Sequence, residues 1–170
     1  MLDLVNLEIF LRLLAAAFFG MLIGSERTLA GKVAGMRTYA LVSLGSAVFI
    51  IVGLLVTNAY LGKVNFDPAR VLAGIITGIG FIGAGLIVMR ENFLRGLTSA
   101  AGLWVSSGVG AAAGFGFYQI AFFVSILTVL IFTAVWFLEH RIKIYISNKS
   151  ESSNKRVVKT RKRSIRQVKK

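Results

Sequence analysis

The sequence predicts an all-α polytopic membrane protein: a bundle of about five transmembrane helices with glycine-rich packing, the N-terminus outside and the C-terminus in the cytoplasm. Three observations lead there. Hydrophobic residues make up 56% of the 170 positions, more apolar surface than a soluble domain of that length can bury. Five apolar stretches, roughly 7–24, 39–57, 69–89, 97–115 and 118–138, each approach the ~20 residues that an α-helix needs to cross a bilayer core. Seventeen of the 20 Lys and Arg fall on one side of the resulting topology and two on the other, the asymmetry expected when the basic side faces the cytoplasm.

The stretches follow in order. The first carries Arg12 one turn beyond Glu8, the favourable order for an i,i+4 pair, and runs on into GSER. No positive segment precedes it and no small-residue cleavage site follows it, so it is expected to stay in the mature protein. The loop SERTLAGKVAGMR supplies Arg27, Lys32 and Arg37. The second stretch ends before a loop holding Lys63. Asp67 then precedes Pro68, an N-cap followed by a proline at the first helical position, which starts the third helix. Arg90 and Arg95 follow it. The fourth stretch is rich in Gly, Ala and Ser, which suits a helix surrounded by other helices; Thr98 and Ser99 are read as its caps. Ser106 and Ser107 lie in its middle, where hydroxyls bond back to their own helix or across to a neighbour. The fifth runs to the basic end of the chain; Trp104 in the fourth, and Tyr118 and Trp136 in the fifth, are read as interface or packing aromatics. Residues 1–145 are thus read as the transmembrane domain. Residues 146–170 are read as a basic, disordered cytoplasmic tail that contacts anionic lipid, with RNA or ribosome contact as a distant alternative.

GIGFIG, at Gly78, Gly80 and Gly83, has the spacing of a dinucleotide fingerprint. That motif needs a strand before it, an amphipathic helix after it and an acidic residue about 20 positions on. Here it sits inside an unbroken apolar run and residues 96–110 hold no acid. On a helix, Gly74, Gly78 and Gly85 fall within about 40° of one another, with Gly80 and Gly83 opposite. Small faces let membrane helices approach closely, so the third helix is expected to lie centrally, gripped from both sides, and Gly78→Leu is expected to abolish assembly. Gly20 with Gly24, and Gly110 with Gly114, repeat the small-x-x-x-small spacing. AGKVAG is not a Walker A loop, because Val33 follows the lysine where Ser or Thr is required.

There is no Cys and one His, which excludes disulfides, Cys nucleophiles and His-cluster metal sites. No Ser/His/Asp set or H-E-x-x-H is present, so an enzyme is not expected, nor is a cofactor. The candidate functional positions are polar groups near the helix ends. Glu26, Arg27, Arg37 and Arg95 form one cytoplasmic cluster, suited to snorkelling or to holding an acidic segment or phosphate. Asp67 is an outward carboxylate and the candidate Mg²⁺ ligand, oxygen being the donor Mg²⁺ prefers.

GMLIGSER (20–27), AGMRTYALVSLG (34–45), DPARVLAGIITGIGFIGAGLI (67–87) and RGLTSAAGLWVSSGVGAAAG (95–114) together resemble the MgtC/SapB family of bacterial inner-membrane proteins, over about residues 10–118. The resemblance implies a compact domain of about five spans. It implies a link to Mg²⁺ homeostasis and growth at low Mg²⁺, within a family associated with survival of pathogens in the host. It also implies a regulator that binds another membrane protein or itself; the alternative is a subunit of a cation transporter or channel. The matching polar positions are Glu26, Arg27, Arg37, Asp67, Arg70, Arg95 and Thr98. Two departures stand out. Asn92 lies three residues before Arg95, where relatives often place an asparagine closer. Many relatives also carry a folded C-terminal domain where this chain has a short basic stretch.

Overall fold

In a computed structural model, residues 2–60, 67–90 and 93–137 are described. Five helices appear: α1 (Leu2–Leu29), α2 (Met36–Ala59), α3 (Pro68–Leu86), α4 (Leu97–Gly114) and α5 (Tyr118–Phe137). Four of them are long and apolar enough to cross a membrane: α1 from Asn6, α2, α3 and α5. The remaining one, α4, has 18 residues, 11 of them buried. It is the core helix of the bundle, shielded by the others, which is why it needs so little grease of its own.

The chain divides into two compact units, Met1–Leu130 and Ile131–Lys170. Of the second, only the helical residues 131–137 are described. The expected tail, 146–170, lies outside the described residues.

Within the first unit α2 packs between α1 and α4, and glycine makes both crossings possible. A Cβ at Gly20 would stand 2.6 Å from the Tyr39 carbonyl oxygen, and one at Gly24 would stand 2.6 Å from the Met36 Cα. From α4, a Cβ at Gly110 would drive into the Ser43 carbonyl, and one at Gly114 would stand 3.0 Å from Ala47. Hydroxyls join the same three helices. Ser43 Oγ donates to the Ala16 carbonyl at 2.7 Å, and Ser106 Oγ donates to the Tyr39 carbonyl at 3.0 Å. Both are buried, where a hydroxyl without a partner is costly. Ser107 bonds back to Trp104 within its own helix.

The expectation of a central α3 is corrected. It packs chiefly on α4 and more sparsely on α2. A Cβ at Gly74, Gly78, Gly80 or Gly85 would meet nothing within 4 Å, and one at Gly83 meets only the Ala100 side chain, at 3.6 Å. The fold of a single copy therefore does not require glycine at Gly78, and the expected loss of assembly in Gly78→Leu has no support within one chain. The reason is competition for neighbours: α4 carries small residues nearly all round and takes the central place. Instead α3 borders open apolar space on two sides. A groove of about 840 Å³ lies between Gly74 and Gly78 of α3 and Gly45, Ser46 and Gly53 of α2. A second, of about 490 Å³, lies between α3, α4 and the start of α5.

A further difference is local. The third apolar stretch does not stay helical to residue 89. Helix α3 ends at Leu86, and Val88–Arg90 pairs antiparallel with Phe93–Arg95 as strands β1 and β2. Gly96 returns the chain into α4 with φ +88°, and a Cβ there would clash with the Leu86 carbonyl. This small hairpin leaves the fold all-α in every other described element.

Candidate functional site

The described charged residues gather at two opposite ends of the bundle. At the first end the C-terminus of α1 meets the starts of α2 and α4. Glu26 and Arg27 form an ion pair there, with the Arg27 residue only 3% exposed. Its position in the last turn of α1 suits the negative end of the helix dipole. The next residue, Thr28, orders the loop: its Oγ1 donates to the Gly24 carbonyl at 3.1 Å and accepts the Met36 backbone N–H at 2.9 Å. That bond caps α2 from a residue eight positions upstream, where the N-cap Gly35 has no side chain to offer. Tyr39 is fully buried one turn into α2, and its hydroxyl donates to the Ser99 carbonyl at 3.1 Å. This bond ties the first turn of α2 to the first turn of α4.

The expected cluster of Glu26, Arg27, Arg37 and Arg95 is thus assembled in part. Glu26 and Arg27 pair directly. Arg37, Arg95 and Thr98 belong to the same end but point to the exterior. The cap assignment for α4 is also revised. Its N-cap is Gly96, without a side-chain bond, so neither Thr98 nor Ser99 caps it; Ser99 serves through its carbonyl. Sequence reading missed Tyr39, Thr28 and Ser43. Their one visible signal is a lone polar atom on an apolar helix or at its end.

The other end holds Asp67 and Arg70, both exposed, at the far terminus of α3. A helix of 19 residues is about 28 Å long. Asp67 Oδ1 accepts the Ala69 backbone N–H at 2.9 Å, with Pro68 at the first helical position, as a cap should. The pair of Arg12 and Glu8 is present as expected. Its further partner was not foreseen: Arg12 Nη1 donates to the Gly114 carbonyl at 2.9 Å. The guanidinium therefore closes the C-terminus of α4 and lies against Gly116 in the following turn, where φ is +85°.

Among the described residues no group of three or more His, Cys, Asp or Glu converges as a metal site would need. The two acidic residues expected to act are each occupied within the chain, Glu26 by Arg27 and Asp67 by its own helix.

Such a bundle, with apolar exteriors, glycine-mediated crossings and charge confined to its ends, is a multi-pass helical membrane protein. The sequence profile described as "MgtC family" matches residues 13–141, and the chain belongs to that family. A protein of Escherichia coli (strain K12) named "Putative magnesium transporter YhiD" is 38% identical over 145 residues, covering 84% of this chain and 66% of that protein. "Protein MgtC" of Salmonella typhimurium (strain LT2) is 42% identical over 117 residues, 69% of this chain and 48% of that one. An uncharacterized protein of Haemophilus influenzae is 39% identical over 134 residues, 76% of this chain and 55% of that one. The chain spans between about half and two thirds of the length of these curated relatives. No solved structure matches it with significance.

Proposed function

We propose that this protein is a non-enzymatic regulator of Mg²⁺ homeostasis in the bacterial inner membrane, acting on another membrane protein or on a second copy of itself and using no cofactor. The observation that carries the reading is where the bundle is closed and where it is open. Between α1, α2 and α4 the backbones touch at Gly20, Gly24, Gly110 and Gly114, and the buried hydroxyls are spent on neighbouring carbonyls. That close packing favours a regulator over an ion path through the α1–α2–α4 interior. The open spaces lie beside α3, and both are apolar, which suits a neighbour more than a hydrated cation. Family membership and the names of the relatives supply the connection to Mg²⁺.

The alternative, a subunit of a cation transporter or channel, draws on the printed name of the Escherichia coli relative. Mg²⁺ is bound mostly through water and one or two carboxylates, so Asp67 at one end and Glu26 at the other would be the entrance and exit. Mg²⁺ flux into liposomes carrying the purified protein separates the readings. The variants Asp67→Asn and Glu26→Gln keep cap and side-chain shape while removing charge. We expect wild type and variants alike to give no flux above empty liposomes. Flux in the wild type that either variant abolishes, with helicity retained, would make the protein a transporter and overturn the regulator.

A further inference from the structure

The hairpin between α3 and α4 has a chemistry that is odd for a loop. Val88, Met89, Phe93 and Leu94 are all exposed, Met89 at 69% and Phe93 at 74%, and Leu97 follows at the start of α4. The pairing Val88↔Arg95 and Met89↔Leu94 puts cross-strand partners on the same face. Met89 and Leu94 therefore share one face, and Val88, Phe93 and Arg95 the other. Both faces of this ribbon present large apolar groups that the rest of the chain leaves uncovered. Two strands of three residues are not stable by themselves in water.

Height decides what covers them. Helix α3 has 19 residues, so it spans about 28 Å, close to the ~30 Å hydrocarbon core. Strand β1 begins two residues after α3 ends, and Gly96, just after β2, brings the base of the hairpin against the Leu86 carbonyl. A bilayer whose core α3 crosses would place the ribbon at the boundary between hydrocarbon and headgroups. A two-stranded ribbon with unpaired edges cannot sit in the hydrocarbon itself, but amphipathic elements bury apolar side chains about 5–10 Å into the headgroup–acyl boundary. Charge complements this placement. Arg95 is exposed on the ribbon, and Lys32 and Arg37 are exposed at the same end of the bundle, which suits lipid phosphates. Two more uncovered apolar residues, Leu29 and Val33, belong to the same end.

We propose that the Val88–Arg95 hairpin is an interfacial anchor, which inserts Met89, Phe93 and Leu94 into the bilayer boundary while Arg95 holds a phospholipid phosphate. The anchor fixes the depth of α3, the helix beside both open grooves. It is independent of whether the protein regulates or transports.

The absence of cysteine makes the test clean. Single variants Met89→Cys, Phe93→Cys and Leu94→Cys carry a nitroxide in the full chain, reconstituted in phosphatidylcholine–phosphatidylglycerol nanodiscs. Accessibility to oxygen is compared with that to a water-soluble nickel chelate. Phe81→Cys, on the exposed face of α3, gives the lipid reference. The expected result is an oxygen preference at Phe93 and Leu94 at least several-fold above that of the free label in buffer, approaching the reference. Adding Phe93→Ser and Leu94→Ser to the Met89→Cys chain should return that label to water, with helicity unchanged by circular dichroism. Labels that prefer the nickel reagent in the lipid-only disc would overturn the anchor and leave the ribbon to a protein partner. An oxygen preference at Met89 that survives the double serine change would overturn it as well.

Discussion

Gly96 is the residue on which the α3–α4 connection turns. Its φ of +88° belongs to the left-handed region, and the Leu86 carbonyl occupies the space of a Cβ. Strain of this kind costs of order 1–3 kcal/mol, and the steric overlap adds to it. Gly96→Ala is expected to lower the thermal midpoint in detergent by at least several degrees, read by loss of helical circular dichroism; an unchanged midpoint would show that the hairpin base is not fixed. Glu26, Asp67 and Arg12 were each legible in the sequence, because a charge in an apolar chain attracts notice and local rules name its neighbour. What those rules could not reach were partners distant in sequence. Arg12 meets Gly114 across 102 positions and Tyr39 meets Ser99 across 60. Nothing local distinguishes Tyr39 from the other tyrosines, and its importance exists only once α2 and α4 are side by side.

At the scale of elements, the same residue type has two different fates. Gly110 lies where α4 crosses the backbone of α2, whereas Gly78 opens onto a groove. Overpacking a filled core typically costs about 1–3 kcal/mol, and filling open space costs little. Gly110→Ala is therefore expected to destabilise the protein by about that amount, while Gly78→Ala leaves it near wild type, both measured by thermal unfolding in the same detergent. Equal losses would mean that the groove is closed in the working protein. Five apolar stretches were readable because span length is a property of each segment alone. Which glycine stripe is used was not, since a stripe declares only that a neighbour is permitted. Central position went to α4, whose small residues surround it, and not to α3, whose fingerprint-like spacing drew the eye. The end of α3 was misread for a similar reason: Ile87, Val88 and Met89 are apolar enough to extend a helix, and the hairpin is visible only when Gly96 is seen closing it on Leu86.

Over the whole molecule, charge and fold can be set against each other. The ends of α1 and the starts of α2 and α4 meet at one end of the bundle, with Lys32, Arg37 and Arg95 beside them, while the loop between α4 and α5 carries no Lys or Arg. Short loops rich in Lys and Arg are retained in the cytoplasm during insertion, so the α1–α2 loop is expected inside, and the segment after α2 outside. A full-length chain with one introduced cysteine tests this directly. In intact cells a membrane-impermeant maleimide should label Tyr60→Cys, at the exposed end of α2, and should reach Lys32→Cys only after the membrane is opened. The reverse pattern would invert the molecule and place Asp67, with Arg70, on the cytoplasmic face. The orientation matters for function because it decides which acid faces the medium. With Asp67 outside, extracellular Mg²⁺ meets a carboxylate engaged in capping α3. With Asp67 inside, the same ion would meet the Arg-rich end first, a surface that repels it.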